Sequence, residues 1–429
     1  MPRILIADAR PICLDLPQCE VQYAHDGVQA LQKMETFAPE LVITDLMLPR
    51  RHGIEILKVA KQKKMGVILT SAQPMIQNYH AALESGADYF LRKPFDSKTI
   101  SKLIRLFFEG KLKPAPFEGI EATYPKEKVY APAPHIETSY LKFWGTRGST
   151  AVSGTEYLHY GGNTVALEVR TPKNCVIIDA GTGIRLLGKE LLQSEITTIP
   201  IFIGHTHWDH LAGLPFFAPL FETHHRLEIF TPSGYSQNTR ELFMEVLGYS
   251  LFPVRFDDLA SRITFHELQD GDVYNFGDIR IETTYAHHPG ATLCFKITLP
   301  HHTLGYVTDN ELLMGYQGDP EAIDLHHPLI EPHLSFIDFF RGCDTLIHEA
   351  QYTPEEYPHR IGWGHSSVTN AAAILQHIKP KEWIVTHHSP SHTDEALQKK
   401  LLLHMDVAEH LHMSCATRMA YDGFMIPGI

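Results

Sequence analysis

An apolar run that stops at a cluster of ligating side chains sharply limits how the chain around it can fold. Ile199–Ile203 (IPIFI) has the composition of a buried strand, and Gly204-His205-Thr206-His207-Trp208-Asp209-His210 follows it directly. His205, His207, Asp209 and His210 are four potential ligands within six residues, delivered by one strand end into one space. Imidazole nitrogen and carboxylate oxygen at this density suit Zn²⁺, Mn²⁺ or Fe²⁺. The chain has 28 histidines, many clustered, and histidine is the commonest metal ligand.

The 429 residues divide by pattern. Residues 1–110 alternate short apolar runs (Ile4–Ala7, Val21–Ala24, Leu41–Thr44, Val67–Leu69, Tyr89–Leu91) with amphipathic segments such as Val28, Leu31, Met34 and Phe37. Strands alternating with helices predict a parallel α/β sheet covered on both faces. Residues 111–138 carry five prolines without a clear period and read as a stiff linker. Residues 139–429 form a larger unit, richer in β-runs (Val165–Val169, Val176–Ile178, Ile201–Ile203).

Ligands of a parallel α/β sheet gather at the carboxyl ends of its strands. Asp8, Asp45 (LVITDLMLP), Ser71 (LTSA) and Lys93 (LRKPF) fall there. This set, with GADYFLRKPF, in which Phe90 sits where the family's switch aromatic lies, resembles the receiver domain of response regulators, a doubly wound (βα)5 fold. The resemblance implies Asp45 as phosphoacceptor, Lys93 and Ser71 as phosphate-holding groups, and a histidine kinase as partner. It also implies a Mg²⁺ site, yet Asp8-Ala9 stands where receivers usually have two acids, and Mg²⁺ wants near-octahedral oxygen ligands. With only 37 positions from Asp8 to Asp45, the first helix is expected to be truncated.

The His-x-His-x-Asp-His motif resembles that of the metallo-β-lactamase superfamily, an αββα sandwich, and the resemblance extends over 139–429. The superfamily's remaining positions occur in order: Asp179 in VIIDAGTG, His288 in AHHPG, Asp309 in YVTDNE and His387 in IVTHHSP. What this implies is two divalent cations, Zn²⁺ foremost, with Mn²⁺ or iron as alternatives. His205, His207 and His288 would hold one, Asp209, His210 and His387 the other, and Asp309 would bridge. Asp179 would orient ligands from behind, as metal histidines normally require. Of the doubled histidines, His288 is preferred to His287 because it precedes Pro289, and His387 to His388 because it follows the strand IVT.

GTRGS (145–149), YGGNT (160–164), HEAQY (348–352) and GWGHSS (362–367) resemble the branch containing ribonuclease Z and the cyclic phosphodiesterase of phosphonate breakdown. That likeness implies phosphodiester hydrolysis, with Asp209, His365 and Glu349 in catalysis. His365 would act at the leaving oxygen with an imidazole of near-neutral pKa, Glu349 would orient it, and Asn163 would line the substrate site. The alternatives are another hydrolase of the same fold (lactone or thioester) and a diiron sensor.

Charge narrows the substrate. Residues 1–138 hold 18 basic and 16 acidic side chains (+2), and 139–429 hold 19 and 34 (−15). This acidity disfavours a large nucleic-acid surface, and no Lys/Arg-rich arm interrupts the unit. A small, cyclic nucleotide-type phosphodiester is therefore expected, with the receiver as regulator and a homodimer as one arrangement. Six scattered cysteines without a Cys-x-x-Cys pair fit reduced thiols, and no apolar run approaches ~20 residues. The expectation is a cytoplasmic protein without a membrane partner.

Overall fold

The computed structural model describes every residue except 10–13, 15, 72–81, 84, 114–137, 234–237, 249 and 250. It divides into two compact units, Met1–Lys128 and Val129–Ile429. The expected linker, 111–138, lies almost entirely outside the described residues.

In the first unit, β1 (Arg3–Ala7), β2 (Glu20–Ala24), β3 (Leu41–Asp45), β4 (Gly66–Ser71) and β5 (Tyr89–Arg92) pair in parallel in the order β2-β1-β3-β4-β5. Successive strand residues point to opposite faces. Leu5, Val42, Val67 and Leu69 accordingly join one core with helices Gly27–Thr36 and Gly53–Gln62, while Ile4, Leu41, Ile43 and Ile68 join another with helix Ser97–Phe108. The first of these helices begins on Asp26, whose side chain caps Gln29 N–H. Its buried face is Ala30, Met34 and the following Phe37, whereas Val28 is exposed, so the three-residue spacing named one wrong member. The truncated first helix expected between β1 and β2 falls on a connection in which residues 10–13 and 15 lie outside the described residues, and the residues described there form no helix.

The second unit is a four-layer αββα sandwich. One sheet contains β6 (Tyr140–Gly145), β7 (Ala166–Arg170), β8 (Cys175–Ile178), β9 (Thr198–Phe202), β10 (Arg226–Pro232), β11 (Arg262–Leu268) and, beside β6, β19 (Met425–Pro427). The other runs from β12 (Val273–Phe276) through β13 (Ile279–Tyr285), β14 (Leu293–Thr298), β15 (Thr303–Val307), β16 (Thr345–Glu349) and β17 (Glu382–Thr386) to β18 (Ala416–Met419). Alternation sorts the side chains again. Val176, Ile178 and Phe202 face Phe295, Ile297, Ile347 and Ile384 between the sheets, while Ile177, Ile201 and Ile203 pack outward on helix Ile184–Leu191. On the opposite outer face, helices Leu334–Phe340, Val368–Ile378 and Asp394–His410 cover Leu346, Trp383 and Val385. No helix among the described residues is long and apolar enough to cross a membrane.

Candidate metal centre

β8, β9, β15 and β17 each stop beside one point in the sandwich, and the residue or loop after each stop carries a polar side chain into it. Asp179 follows β8 and His387 follows β17, both with left-handed backbone (φ 63° and 55°). Non-glycine residues adopt that conformation at a cost of order 1 kcal/mol, which surrounding contacts must impose. After β9, Gly204 and His205 lead into the short turn of helix Trp208–Leu211, which turns Asp209 and His210 back into the protein. Asp309 lies just past β15, and His288 sits in the loop between β13 and β14.

Seven sequence-predicted residues meet there. The ligating atoms of His205, His207 and His288 lie within 4.8 Å of one another, as do those of Asp209, His210 and His387, and those of His205, His210 and Asp309. His205 Nε2 is 2.8 Å from His207 Nδ1, which is 3.2 Å from His288 Nε2. His387 Nε2 lies 3.2 Å from Asp209 Oδ2 and 3.4 Å from Asp309 Oδ2. Asp309 thus touches both groups: its Oδ1 is 3.7 Å from His205 Nε2 and its Oδ2 3.1 Å from His210 Nε2. His205, His210 and His387 are fully buried, His288 is half-buried, and His207 is exposed, so the cluster opens to solvent at His207 beside the exposed Trp208.

The surrounding contacts fix which ring nitrogen faces inward. Asp179 accepts from Gly204 N–H (2.9 Å) and the Tyr306 hydroxyl (2.9 Å), and its Oδ2 lies 3.0 Å from His210 Nδ1. A proton on that Nδ1 leaves Nε2 as a lone pair aimed at the carboxylates. His288 Nδ1 donates to the Gly364 carbonyl (2.8 Å), again freeing Nε2. Ser149 N–H donates to Asp209 Oδ2 (2.6 Å), and the Gln351 amide sits 3.3 Å from His387 Nδ1. Two glycines make this packing feasible. A Cβ at Gly148 would lie 2.3 Å from His387 Nδ1, and one at Gly364 (φ 87°) would lie 2.1 Å from His288 Nδ1.

Electrostatics point the same way. Burial would strip the proton from His210, yet Asp179, Asp209 and Asp309 around it raise its pKa well above the ordinary imidazole value. Burial likewise opposes ionisation of Asp309, but His387, His205 and His210 hold its carboxyl well below the usual range. Burial and the neighbouring His210 push His205 well below 6.5. His205 Nδ1 and Asp309 Oδ2 are buried without hydrogen-bond partners among the described residues. Five imidazoles and two carboxylates in this state fit divalent cations, which supply the positive charge that a proton on His210 otherwise provides.

The remaining expectations fare unevenly. His365 adjoins the cluster, with Nδ1 3.7 Å from Asp309 Oδ1. Burial pulls its pKa down to about 3, not near neutrality as expected, so the resident form is neutral imidazole. Glu349 Oε1 is 3.8 Å from His365 Nδ1, beyond a hydrogen bond. Its oxygens accept instead from Ser366 N–H (2.7 Å) and Gln351 N–H (2.6 Å), so it fixes the backbone on which His365 and Gln351 sit. The Asn163 amide donates to Asp422 (2.9 Å) and accepts from the Thr182 hydroxyl (3.1 Å), which ties loops together. His287 stacks edge-on against His333, and His388 donates to the Ala420 carbonyl, both away from the cluster. Sequence reasoning missed Ser149, Tyr306, Glu311 and Gln351. The acidic neighbour of Asp309-Asn310 was the available signal for Glu311, whose carboxylate accepts from Gly362 N–H, Gly364 N–H and the Tyr357 hydroxyl and so shapes the loop carrying His365.

In the first unit, Lys93 Nζ lies 2.5 Å from Asp8 Oδ2 and 2.6 Å from Asp45 Oδ2. Burial lowers the Lys93 pKa, but hydrogen bonds to Asp45 and Asp8 outweigh it and raise the value overall. Ser71 ends β4 at the same edge.

Residues 174–388 match the sequence profile of the beta-lactamase superfamily domain, and residues 5–105 match that of the response regulator receiver domain. Ribonuclease Z of Thermoplasma volcanium is 24% identical over 252 residues, 51% of this chain and 79% of that protein. The alkaline phosphatase synthesis transcriptional regulatory protein PhoP of Bacillus subtilis is 34% identical over 88 residues, 20% of this chain. The chain spans 37% of PhoP's length. Among solved structures, the metallo-β-lactamase fold protein YhfI of Bacillus subtilis shares 17% identity with a TM-score of 0.48, covering 68% of this chain and 100% of that one.

Proposed function

The chain belongs to the beta-lactamase superfamily, with a receiver domain ahead of the superfamily domain, and on that premise we propose that it is a dinuclear metal-dependent phosphodiester hydrolase acting on a small, cyclic nucleotide-type substrate. The observation that carries this reading is the convergence of His205, His207, His288, Asp209, His210, His387 and Asp309 into two three-residue groups joined by one carboxylate. His205, His207 and His288 would hold one cation, Asp209, His210 and His387 the second, with Asp309 between them. Two divalent charges against two carboxylates leave a cationic centre suited to an anionic phosphodiester.

Bound there, the cations supply Lewis-acid polarisation of a phosphoryl oxygen and acidify a water. The chain's own groups do the rest. Asp179 holds a proton on His210 Nδ1 and the Gly364 carbonyl one on His288 Nδ1, so Nε2 is the nitrogen each ring would offer to a cation, which at His210 would displace the second proton. Neutral His365 has one N–H with which to hydrogen-bond the departing oxygen, whose proton then comes from solvent, and Glu349 and Glu311 hold the strand end and loop that aim it. Low exposure of His205, His210 and His387 keeps bulk water from the inner side.

Turnover of a cyclic-nucleotide library and of bis(p-nitrophenyl) phosphate, beside lactones and thioesters, tests the reading. Phosphodiester turnover lost in His365→Ala supports it; turnover confined to lactones or thioesters refutes it. Because histidine and carboxylate donors also accept iron, metal analysis with an absorption spectrum separates the hydrolase from a diiron sensor. Regulation by the receiver is part of the proposal: acetyl phosphate should change turnover, with a histidine kinase as the natural phosphodonor.

A further inference from the structure

The loop from Tyr357 to His365 carries Arg360, the only lysine or arginine between Arg341 and Lys379. Its two ends are fixed. The Tyr357 hydroxyl, Gly362 N–H and Gly364 N–H all donate to Glu311, and the Gly364 carbonyl accepts from His288. Between these points Trp363 N–H donates to the Arg360 carbonyl (3.0 Å) and closes a turn. Arg360 is half-buried there and Trp363 is 59% exposed. The guanidinium carbon lies 4.8 Å from the centre of the indole, a cation–π distance.

Among the described residues this guanidinium donates only to the His359 carbonyl (3.3 Å), and no carboxylate comes within ion-pair distance of it. The neighbouring acids are engaged elsewhere. Glu311 takes the three donors above, Glu349 takes Ser366 and Gln351 N–H, and Glu356 takes His392 (2.9 Å). Arginine presents five N–H donors in a planar fork, so most of this fork is open. A cation left uncompensated in so acidic a unit is built for an anion from outside the chain.

Two routes tie the turn to the metal centre. Trp363 precedes Gly364, whose carbonyl holds His288, and its Cα lies within ~8 Å of that of His365 by chain length alone. Arg360 also acts on Tyr352: burial and Glu349 push the Tyr352 pKa up, and the Arg360 charge opposes them. The Tyr352 ring stands edge-on to His365 with centres 5.9 Å apart. The His365 ring in turn lies 5.1 Å from that of His387 and 5.3 Å from that of His288.

We propose that Arg360, laid on Trp363, is a specificity-determining residue that grips a second phosphate of the substrate while the scissile diester lies on the metal centre. This rests on the phosphodiesterase reading and narrows it to diesters that carry a further phosphate group. A guanidinium fork takes two phosphate oxygens at once, which an ammonium does not.

Two esters with one leaving group, thymidine 5′-(p-nitrophenyl phosphate) and its 3′-phosphorylated counterpart, are compared on metal-loaded full-length protein. The wild-type kcat/KM should favour the 3′-phosphorylated ester at least about tenfold, chiefly through KM, as one added charge-assisted pair would give. Arg360→Gln should bring the ratio towards one, and Arg360→Lys should keep only part of it. A wild-type ratio near one, or a ratio unchanged in Arg360→Gln, overturns the proposal. A second arm needs no turnover. Thymidine 3′,5′-bisphosphate, which has no diester to cleave, and thymidine 5′-monophosphate are titrated into the same proteins by calorimetry. The bisphosphate should bind the wild type at least about tenfold more tightly, a margin that Arg360→Gln removes. Equal affinities, or a margin that survives the substitution, overturn the assignment even if both esters are cleaved. An Arg360-dependent margin with neither ester cleaved supports the phosphate grip and counts against the reaction.

Discussion

Asp179 and His210 lie 3.0 Å apart with both side chains wholly buried, and the carboxylate is one of three that raise the imidazole's pKa. The carboxylate holds the imidazole's outer proton, so a cation arriving at the inner nitrogen displaces the other one. Asp179→Asn keeps the shape but weakens that hold, and metal affinity should fall about 10–100-fold. Metal titration of the variant, with circular dichroism to verify folding, measures it. Unchanged affinity would remove Asp179 from the site.

Gly148→Ala tests the opposite side. Its methyl group would overlap the His387 ring, which belongs to the group with Asp209 and His210. Expected is protein with its secondary structure intact that holds about one equivalent fewer cations by elemental analysis. Full loading would mean the ring can retreat without cost.

Chelation should destabilise the protein. An ion that binds only the folded state at 100 times its Kd adds about 2.7 kcal/mol, or roughly 4 °C in Tm for the larger unit, Val129–Ile429. Because cation and proton compete at His210, reloading near neutral pH should release protons. Calorimetry in buffers of different ionisation enthalpy counts them, and zero release contradicts the charged state assigned to His210.

Glu356 gives a pH dependence away from the cluster. Burial raises its pKa, but hydrogen bonds from His392 (2.9 Å) and Thr353 N–H outweigh this and lower it to about 2 from an ordinary 4.5. A depressed carboxyl stabilises the fold above its unfolded pKa and loses that contribution as pH falls from about 4.5 towards 2. Its side chain is 39% exposed, so solvent screening limits the effect to roughly 1–2 kcal/mol. Glu356→Gln should flatten the acid limb of the metal-free stability curve by that amount, read from denaturant midpoints at pH 5 and pH 3.

Ala9→Asp restores a second acid beside Asp8, where Lys93 now bridges Asp8 and Asp45. Ligand charge count sets affinity at oxygen sites, so Mg²⁺ binding should tighten by about tenfold or more. Tyrosine fluorescence during Mg²⁺ titration, with acetyl phosphate labelling of Asp45 in both proteins, reads the result. Equal affinity would place the cation elsewhere.

The sandwich and the receiver-like sheet were legible because buried strands leave apolar runs and ligands leave motifs. His288 and His387 could be chosen over His287 and His388 from a following proline and a preceding strand. The partners of Asn163, Asp422 and Thr182, were not legible, because they come from loops far from YGGNT in sequence. The near-neutral pKa expected of His365 depended on depth, which sequence does not encode. Ser149 was illegible for a different reason: its contribution is a backbone N–H, and every residue but proline has one.

Residues from both sheets surround one small space, with Asp179 and His205–His210 at the ends of one and His288, Asp309 and His387 at the ends of the other. A cation lodged there is a rivet through two plates. Its removal through the opening at His207 would take out the pin, so chelation should speed the slowest hydrogen exchange of β9 and β17 amides.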